Sequence, residues 1–227
     1  TLSPCTSYTV TISVTVPPTI GVDVRDAITL TAQSSLSPTL AVSTTLETKT
    51  PASVLLVDDD RWYDQQAVYV DAMTEANLSH DVWSTSRAGG SHGLGPDPDT
   101  LSRYPIVVWW TGYDWYAPIL EEEQIWLEAY VSSGGRLFFS SQDYLYYHAD
   151  DRFPYDYLGV LTYTQDVTST AALGVTGHPI GDGLGPWELA YPRGYQNWSD
   201  AIAPGVNVGV AFRDQEGRPT ALTRRDG

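Results

Sequence analysis

The chain has 227 residues, 42% of them apolar, so it can fill the core of one large domain or two smaller ones. Acidic residues outnumber basic residues by 28 to 12, and the net charge of −16 makes nucleic acid and anionic membrane surfaces poor partners. No apolar run approaches the ~20 residues of a membrane span, and the single cysteine, Cys5, excludes an internal disulfide or a cysteine-based zinc site.

Residues 1–50 show the alternation of half-buried strands. SYTVTISVTV places apolar side chains on one face and hydroxyl side chains on the other, and DAITLTAQSS and TLAVSTTLET repeat this pattern after turn-like breaks. The pattern predicts three antiparallel strands. An immunoglobulin-like sandwich needs about seven strands, so this region resembles the closing strands of the threonine-rich immunoglobulin-like modules of secreted bacterial proteins. We expect a β-sandwich fragment over 1–50, followed by a second domain over 53–227.

From Ser53 onward, short apolar runs alternate with helical periods. VLLVDDD, HDVWST, PIVVWWTG and GGRLFFSS are typical of strands, whereas YDQQAVYVDAMTEAN and LEEEQIWLEAYVSS are typical of helices. The strands are apolar without interruption, which indicates that both faces of their sheet are covered. The sequence therefore predicts an α/β domain with a doubly wound, mostly parallel, flavodoxin-like sheet.

The region beyond Tyr147 has weaker patterns. Four segments are candidate strands, namely LGVLTYT, TAALGVT, WELAY and VNVGVAF. A long glycine-containing loop, AGGSHGLGPDPDT, precedes the third strand of the second domain.

Polar residues follow three of the predicted strands, at the sheet edge where ligands bind in open α/β folds. Together with the phrases VLLVDDD, YPIVVWWTG, YVSSGGRLFFSSQDY and GHPIGDGLG, they make residues 53–227 resemble the class I glutamine amidotransferase-like fold, in the divergent forms attached to secreted bacterial proteins. The resemblance implies a nucleophile position on the turn after GGRLFFSS. A glutaminase needs a cysteine thiolate there. This domain contains no cysteine, so glutaminase activity is excluded.

Ser141 occupies the turn where that cysteine would stand, and His178, with Asp182 close by in sequence, is the candidate base of a serine hydrolase. The segment FSSQD lacks the glycines that flank the serine in G-x-S-x-G elbows. We therefore favour a structural role for Ser141, with its hydroxyl bonded to the backbone at the strand end, over a catalytic one. The histidine before Pro179 is more typical of a loop-shaping residue.

Two other kinds of site are open at the strand ends. Asp58, Asp59 and Asp143 would converge on Ca²⁺ or Mg²⁺ if the first and fourth strands of the domain were neighbours, although carboxylates also stabilise helix starts. Aromatic and polar side chains there could stack on and hydrogen-bond a sugar, although large rings also cover sheets. These ligand-binding candidates are Trp110, Tyr113, Asp114, Trp115, Gln142, Asp143 and Tyr144.

The sequence favours a non-catalytic accessory or interaction domain of a larger secreted bacterial protein such as a peptidase or glycosidase, located outside the cell or at its surface. Its partners would be other domains of the same polypeptide, and its ligand a carbohydrate or a peptide. No cofactor is expected, with calcium or magnesium as the open alternative. A serine hydrolase using Ser141 and His178, and a carbohydrate-binding module using the aromatic residues, are the alternatives.

Overall fold

The computed structural model describes residues 7, 9–17, 19–85, 93–191 and 194–225. The chain divides into two compact units, residues 1–52 and 53–227. Residues 88–92, which are the first part of the glycine-containing loop before the third strand of the second unit and include His92, lie outside the described residues.

The first unit contains one antiparallel hairpin formed by β1 (Arg25–Gln33) and β2 (Ala41–Lys49). Hydroxyl side chains pair across it, as in the 2.7 Å hydrogen bond between Thr31 Oγ1 and Ser43 Oγ. The strand predicted from SYTVTISVTV, which precedes β1 in the chain, is not formed by its described residues. Residues 9–17 contain no strand, and Tyr8 lies outside the described part. Alternation alone does not make a strand, because the backbone also needs a ladder partner.

The second unit is built on a four-stranded parallel sheet in the order β4-β3-β5-β6. Its strands are β3 (Val54–Asp58), β4 (His80–Ser84), β5 (Ile106–Gly112) and β6 (Arg136–Ser141). The central strands, β3 and β5, consist almost entirely of buried residues. The predicted parallel sheet is thus confirmed, and its uninterrupted apolar strands reflect cover on both faces.

Each face of this sheet packs against helices, which are α1 (Gln66–Glu75), α2 (Pro98–Leu101) and α3 (Glu121–Ser132). On one face, Tyr69 and Met73 of α1 pack against Leu56 and Trp110. On the other face, α2 and α3 contribute to the larger apolar cluster, whose buried members include Leu55, Val57, Leu101, Val107, Trp109, Leu127 and Tyr130. Burial of each large apolar side chain contributes roughly 1.5–3 kcal/mol to the free energy of unfolding. The packing of both helical layers is therefore stabilised by the apolar side chains of these strands.

The remainder of the unit is antiparallel. Two short helices, α4 (Tyr144–His148) and α5 (Phe153–Asp156), lead into it. Its strands are β7 (Val160–Thr164), β8 (Ala171–Gly174), β9 (Trp187–Glu188), β10 (Ala201–Pro204), β11 (Val208–Arg213) and β12 (Pro219–Arg224). β10 pairs with β7, and the others form a sheet in the order β12-β11-β8-β9. The sequence did not indicate β10 and β12, which are short or polar and begin or end in proline.

A buried glutamate fixes the loop before β5 to the start of α3. Glu123 accepts hydrogen bonds from the Gly95 N–H at 2.6 Å and from the Leu120 N–H at 2.7 Å. Position 95 has no room for a side chain, because a Cβ atom there would lie 2.3 Å from the Trp109 ring. The three glutamates in the first turn of α3 therefore have two different roles. Glu121 and Glu122 are exposed, whereas Glu123 is buried and accepts hydrogen bonds from backbone amides.

We expect Glu123→Ala to lower the free energy of unfolding by about 2–4 kcal/mol, because two backbone N–H groups lose a charged acceptor in the interior. Glu123→Gln should lie between Ala and wild type, since one acceptor oxygen is kept. Urea denaturation monitored by tryptophan fluorescence measures both values. Glu122→Ala, on the exposed side of the same turn, is the matched control and should change stability little; equal losses for the two alanine variants would contradict the assignment.

Candidate functional site

A β-bulge shapes the carboxyl end of β5. Trp110 pairs with Ser140 and Gly112 pairs with Ser141, so Thr111 is an extra residue between them. Gly112 has a φ of +59°, and a Cβ atom at this position would lie 2.7 Å from Gln65 Oε1. Glycine suits both the left-handed backbone and the close approach of Gln65.

The bulge aims the Thr111 side chain at the predicted nucleophile position. Thr111 Oγ1 donates a 2.7 Å hydrogen bond to Ser141 Oγ. The next residue, Gln142, donates its backbone N–H to the Gly112 carbonyl at 3.1 Å. Ser141 is therefore fixed to β5 at the strand end. The Ser141 hydroxyl is bonded to a side chain and not, as we had expected, to the backbone.

The geometry of His178 leaves its ring no lone pair for a serine proton. Nδ1 accepts backbone N–H groups from Ile180 at 3.1 Å and Gly181 at 3.3 Å. Because backbone amides can only donate, Nδ1 is unprotonated, and the ring proton is on Nε2, 2.8 Å from Thr223 Oγ1. Ser141 and His178 line the same groove of about 1110 Å³, but no hydrogen bond joins them in the described part of the chain.

Asp182 stands on the turn that His178 begins. The Asp182 N–H donates to the His178 carbonyl at 2.9 Å. The His178 Nδ1 atom, which an orienting carboxylate would have to contact, is instead bonded to the two backbone amides. The three candidate residues therefore do not form a triad in this structure.

The three aspartates at the end of β3, Asp58, Asp59 and Asp60, are buried, and two of them accept hydrogen bonds from tryptophans. Trp109 Nε1 donates to Asp59 Oδ2 at 3.0 Å, and Trp110 Nε1 donates to Asp60 Oδ2 at 3.4 Å. Asp59 also accepts from Thr85 Oγ1 at 2.6 Å, and Asp60 accepts from the Gln65 N–H at 2.8 Å. These carboxylates therefore serve to close the ends of β3 and β5.

Asp58 has a different environment. Burial, followed by the charge of Asp60, raises the pKa of the Asp58 carboxyl to about 7. Its Oδ1 atom is buried and has no hydrogen-bond partner in the described residues. An ionised Asp58 would therefore be poorly solvated and repelled by its neighbour, which favours the protonated form at mildly acidic pH.

The premise of the predicted metal site is wrong. β5 lies between β3 and β6, so Asp58 and Asp59 are one strand removed from Asp143. In the described part of the chain, no group of three or more His, Cys, Asp or Glu residues is arranged to hold a metal ion. The expectation of no cofactor, with calcium or magnesium as the alternative, stays a prediction.

The aromatic candidates separate into interior and surface residues. Trp110 is 0% exposed and stacks on Tyr69 at 4.1 Å between ring centroids, and Tyr144, the first residue of α4, is 5% exposed. The expected role of Trp110 in ligand binding is thus corrected, because its ring is fully buried, whereas Tyr144 is nearly buried but lines the groove beside Ser141. Trp115 is 51% exposed and stays accessible.

The polar candidates beside Trp115 are mostly occupied by protein contacts. Asp114 is buried and pairs with Arg61, whose Nε lies 2.5 Å from Asp114 Oδ2. Gln142 Nε2 donates to the Gln196 carbonyl at 3.1 Å. Tyr113 stacks on Tyr195 with 4.7 Å between centroids. Only tertiary structure brings residues 195 and 196 here, so no local sequence signal could have found them.

A second group that sequence reasoning missed surrounds Asp143. Burial and the charge of Asp166 raise the pKa of Asp143 to about 6. Burial, together with the charges of Asp143 and Asp166, raises the pKa of Asp200 to about 7. The Asp166 N–H donates to Asp200 Oδ1 at 3.3 Å. The three carboxylates come from distant segments, and none forms an ion pair with a described basic residue.

His148 belongs to a buried polar network under α4. Its Nδ1 atom lies 2.6 Å from Asp151 Oδ2 and 3.1 Å from Gln124 Nε2, and Gln124 Oε1 accepts from the Tyr144 hydroxyl at 2.8 Å. The Nε2 atom is buried without a partner among the described residues. The network ties α4 to α3, because Gln124 belongs to α3 and Tyr144 to α4.

Comparisons with known proteins give no match: no family model, curated protein or solved structure is similar to this chain. Within the described residues, no helix has the length and apolar character needed to cross a membrane.

We expect Asp58→Asn to raise the free energy of unfolding at pH 8 by roughly 1–2 kcal/mol, after allowance for solvent screening at the sheet edge. The folded-state pKa of about 7 lies above the ordinary 3.8, so the stability that the bound proton provides is complete below pH 4 and is lost as pH rises through about 7.

Denaturation at several pH values from 4 to 8 measures this change. The free energy of unfolding of the asparagine variant should fall less steeply with pH over that range. Part of the pH dependence should remain, because Asp143 and Asp200 also have raised pKa values. Asp71→Asn, on an exposed position of α1, is the control. A slope equal to that of the wild type would contradict the assignment to Asp58.

Proposed function

We propose that this chain is a non-catalytic accessory or interaction domain of a larger secreted bacterial protein, with a doubly wound, flavodoxin-like and amidotransferase-like second unit. Its partners would be other domains of the same polypeptide. The observation that carries the proposal is the state of His178, whose two ring nitrogens are bonded to backbone amides and to Thr223.

The chemistry of acyl transfer explains why this observation matters. A serine is a weak nucleophile until a base removes its proton, and the base needs a free lone pair within hydrogen-bond reach. Here Ser141 is bonded to Thr111, and the lone pair on His178 Nδ1 is used within its own loop. Cysteine chemistry is absent from residues 53–227, because Cys5 is the only cysteine of the chain. The position after β6 thus supports a structural role.

Labelling with a fluorophosphonate probe tests this proposal. Neither the wild type nor Ser141→Ala should be labelled, and neither should hydrolyse activated esters above the rate of unfolded chain. A known serine hydrolase in the same reaction shows that the probe is active. Stoichiometric labelling of the wild type that disappears in Ser141→Ala would overturn the proposal in favour of the serine hydrolase.

The exposed aromatic residues support a second candidate function, carbohydrate binding. We define the aromatic rim as Trp62, Trp115, Tyr116, Tyr146 and Tyr147, all of which are exposed. Trp115 meets Tyr146 at 76° and Tyr116 meets Tyr147 at 70°, so these neighbours lie edge to face. The rim therefore offers individual rings to a sugar and not the coplanar platform that a flat polysaccharide surface requires.

Arg61 fixes one part of the aromatic rim. Its guanidinium group lies 5.7 Å from the Trp62 ring centroid and 6.0 Å from that of Tyr116, and it also pairs with Asp114. A ring that is held in place by a cation loses little freedom when it stacks on a ligand. This part of the surface is thus suited to binding by stacking.

If the aromatic rim binds glycans, Trp115→Ala should weaken retention on an immobilised polysaccharide by about 3–10-fold, the value of one stacking contact. Affinity electrophoresis in gels that contain chitin derivatives, glucans or xylans measures retention. Trp187→Ala removes a comparably exposed ring from β9 and is the control. Absence of retention in every gel, or equal losses for both variants, would remove this candidate.

A further inference from the structure

β6 has an open edge. In the described part of the chain it pairs only with β5, and it is the last strand of the parallel sheet. The backbone N–H and C=O groups on its other side can therefore accept another strand. Native proteins usually protect such edges with proline, lysine or a bulge. The sequence of β6, RLFFSS, contains neither proline nor lysine.

This open edge lies in the large groove of the second unit. All six residues of β6 line the groove. Successive residues of a strand face opposite sides of its sheet, so a groove that all six reach follows the strand edge. Residues 220–225 and Ile180 line it as well. Phe138, in the middle of β6, is 56% exposed, so an apolar side chain on an added strand would have a cross-strand partner.

The charges along β6 have a direction. Arg136, an exposed residue, begins the strand, and Asp143 follows its last residue by two positions. Asp143 is 8% exposed, and it lies within electrostatic range of Asp200 and Asp166. Asp200 also lines the groove. Burial and neighbouring negative charge raise the pKa values of Asp143 and Asp200, and a positive charge placed here would lower both.

We propose that the groove along β6 binds an extended peptide segment of a partner protein, which adds as a strand to the open edge and places a basic side chain beside Asp143 and Asp200. The proposal rests on the interaction role proposed above and names the class of partner. Main-chain hydrogen bonds would give affinity, and the apolar centre and charged ends would give selectivity.

A second copy of this chain fits the edge less well. Antiparallel pairing of two β6 strands would bring Arg136 of one copy near Asp143 of the other, which is favourable in charge. However, residues 220–225 and Ile180 also line the groove, so a whole second sheet with its helices would have to fit beside them. A single extended segment needs only the space of one strand.

A synthetic peptide, Lys-Val-Thr-Val-Thr-Val-Glu, labelled with a fluorophore and studied by fluorescence anisotropy with the full chain, tests the proposal. Antiparallel addition would place its lysine at the Asp143 end and its glutamate near Arg136, and the reversed peptide covers parallel addition. We expect saturable binding of one of the two. Asp143→Asn and Asp200→Asn should each weaken it about tenfold, whereas Asp71→Asn should not.

Three further peptides separate strand addition from simple charge attraction. N-methylation of alternate residues on the edge that faces β6 should abolish binding, and methylation on the other edge should preserve it. The peptide with norleucine in place of lysine should bind the wild type more weakly. Its affinity should then be the same for the wild type and for the two aspartate variants. Thermal denaturation confirms that each variant is folded.

The outcomes that overturn the inference are distinct. Absence of binding by both peptides, equal binding after methylation of either edge, or indifference to both aspartate substitutions would each contradict it. A concentration-dependent dimer in sedimentation equilibrium that Phe138→Asp dissociates would assign the edge to a second copy instead. Fluorophosphonate labelling at Ser141 would overturn the non-catalytic function alone, so failure of the proposed function and failure of the peptide site are told apart.

Discussion

Two adjacent tryptophans hold the second unit together. Trp109 and Trp110 are consecutive residues of β5, so their side chains point to opposite faces of the sheet. Trp109 packs in the apolar cluster with α2 and α3, and Trp110 packs with α1. Each indole N–H also donates to an aspartate after β3. The central strand thereby connects both helical layers to the end of its neighbouring strand.

This arrangement explains why the strand-end carboxylates contribute little to a ligand site. Asp59 and Asp60 accept hydrogen bonds from the indoles, from Thr85 and from a backbone amide, so much of their capacity to accept hydrogen bonds is used within the fold. Their neighbour Asp58 is then buried beside negative charge, and its pKa rises. In many α/β proteins the same edge of the sheet carries the ligand. In this chain much of it is used to close the fold.

A different set of features lies at the margin of the sheet. β6 retains an open backbone edge, an exposed phenylalanine and a group of carboxylates without a basic partner in the described residues. The aromatic rim also presents exposed rings. An open strand edge, exposed rings and carboxylates without a described basic partner are all features that another molecule could contact.

The sequence by itself determined the elements whose signal is local. Apolar runs of five to seven residues specified β3 and β5, and the helical period with its glycine exit specified α3. The order of these elements also indicated a parallel sheet, because parallel neighbours need a crossover between them. The absence of a cysteine excluded glutaminase chemistry without any structure.

Only the tertiary structure decided which residues meet. The strand order placed β5 between β3 and β6 and so separated Asp58 from Asp143, whereas the later loops brought Asp166 and Asp200 to Asp143. Alternation in residues 9–16 predicted a strand that lacks a ladder partner, and the aromatic run around residue 144 did not reveal which rings are buried. A one-dimensional pattern records the preference of each segment, but strand neighbours, burial and charge proximity depend on contacts between segments far apart in the chain.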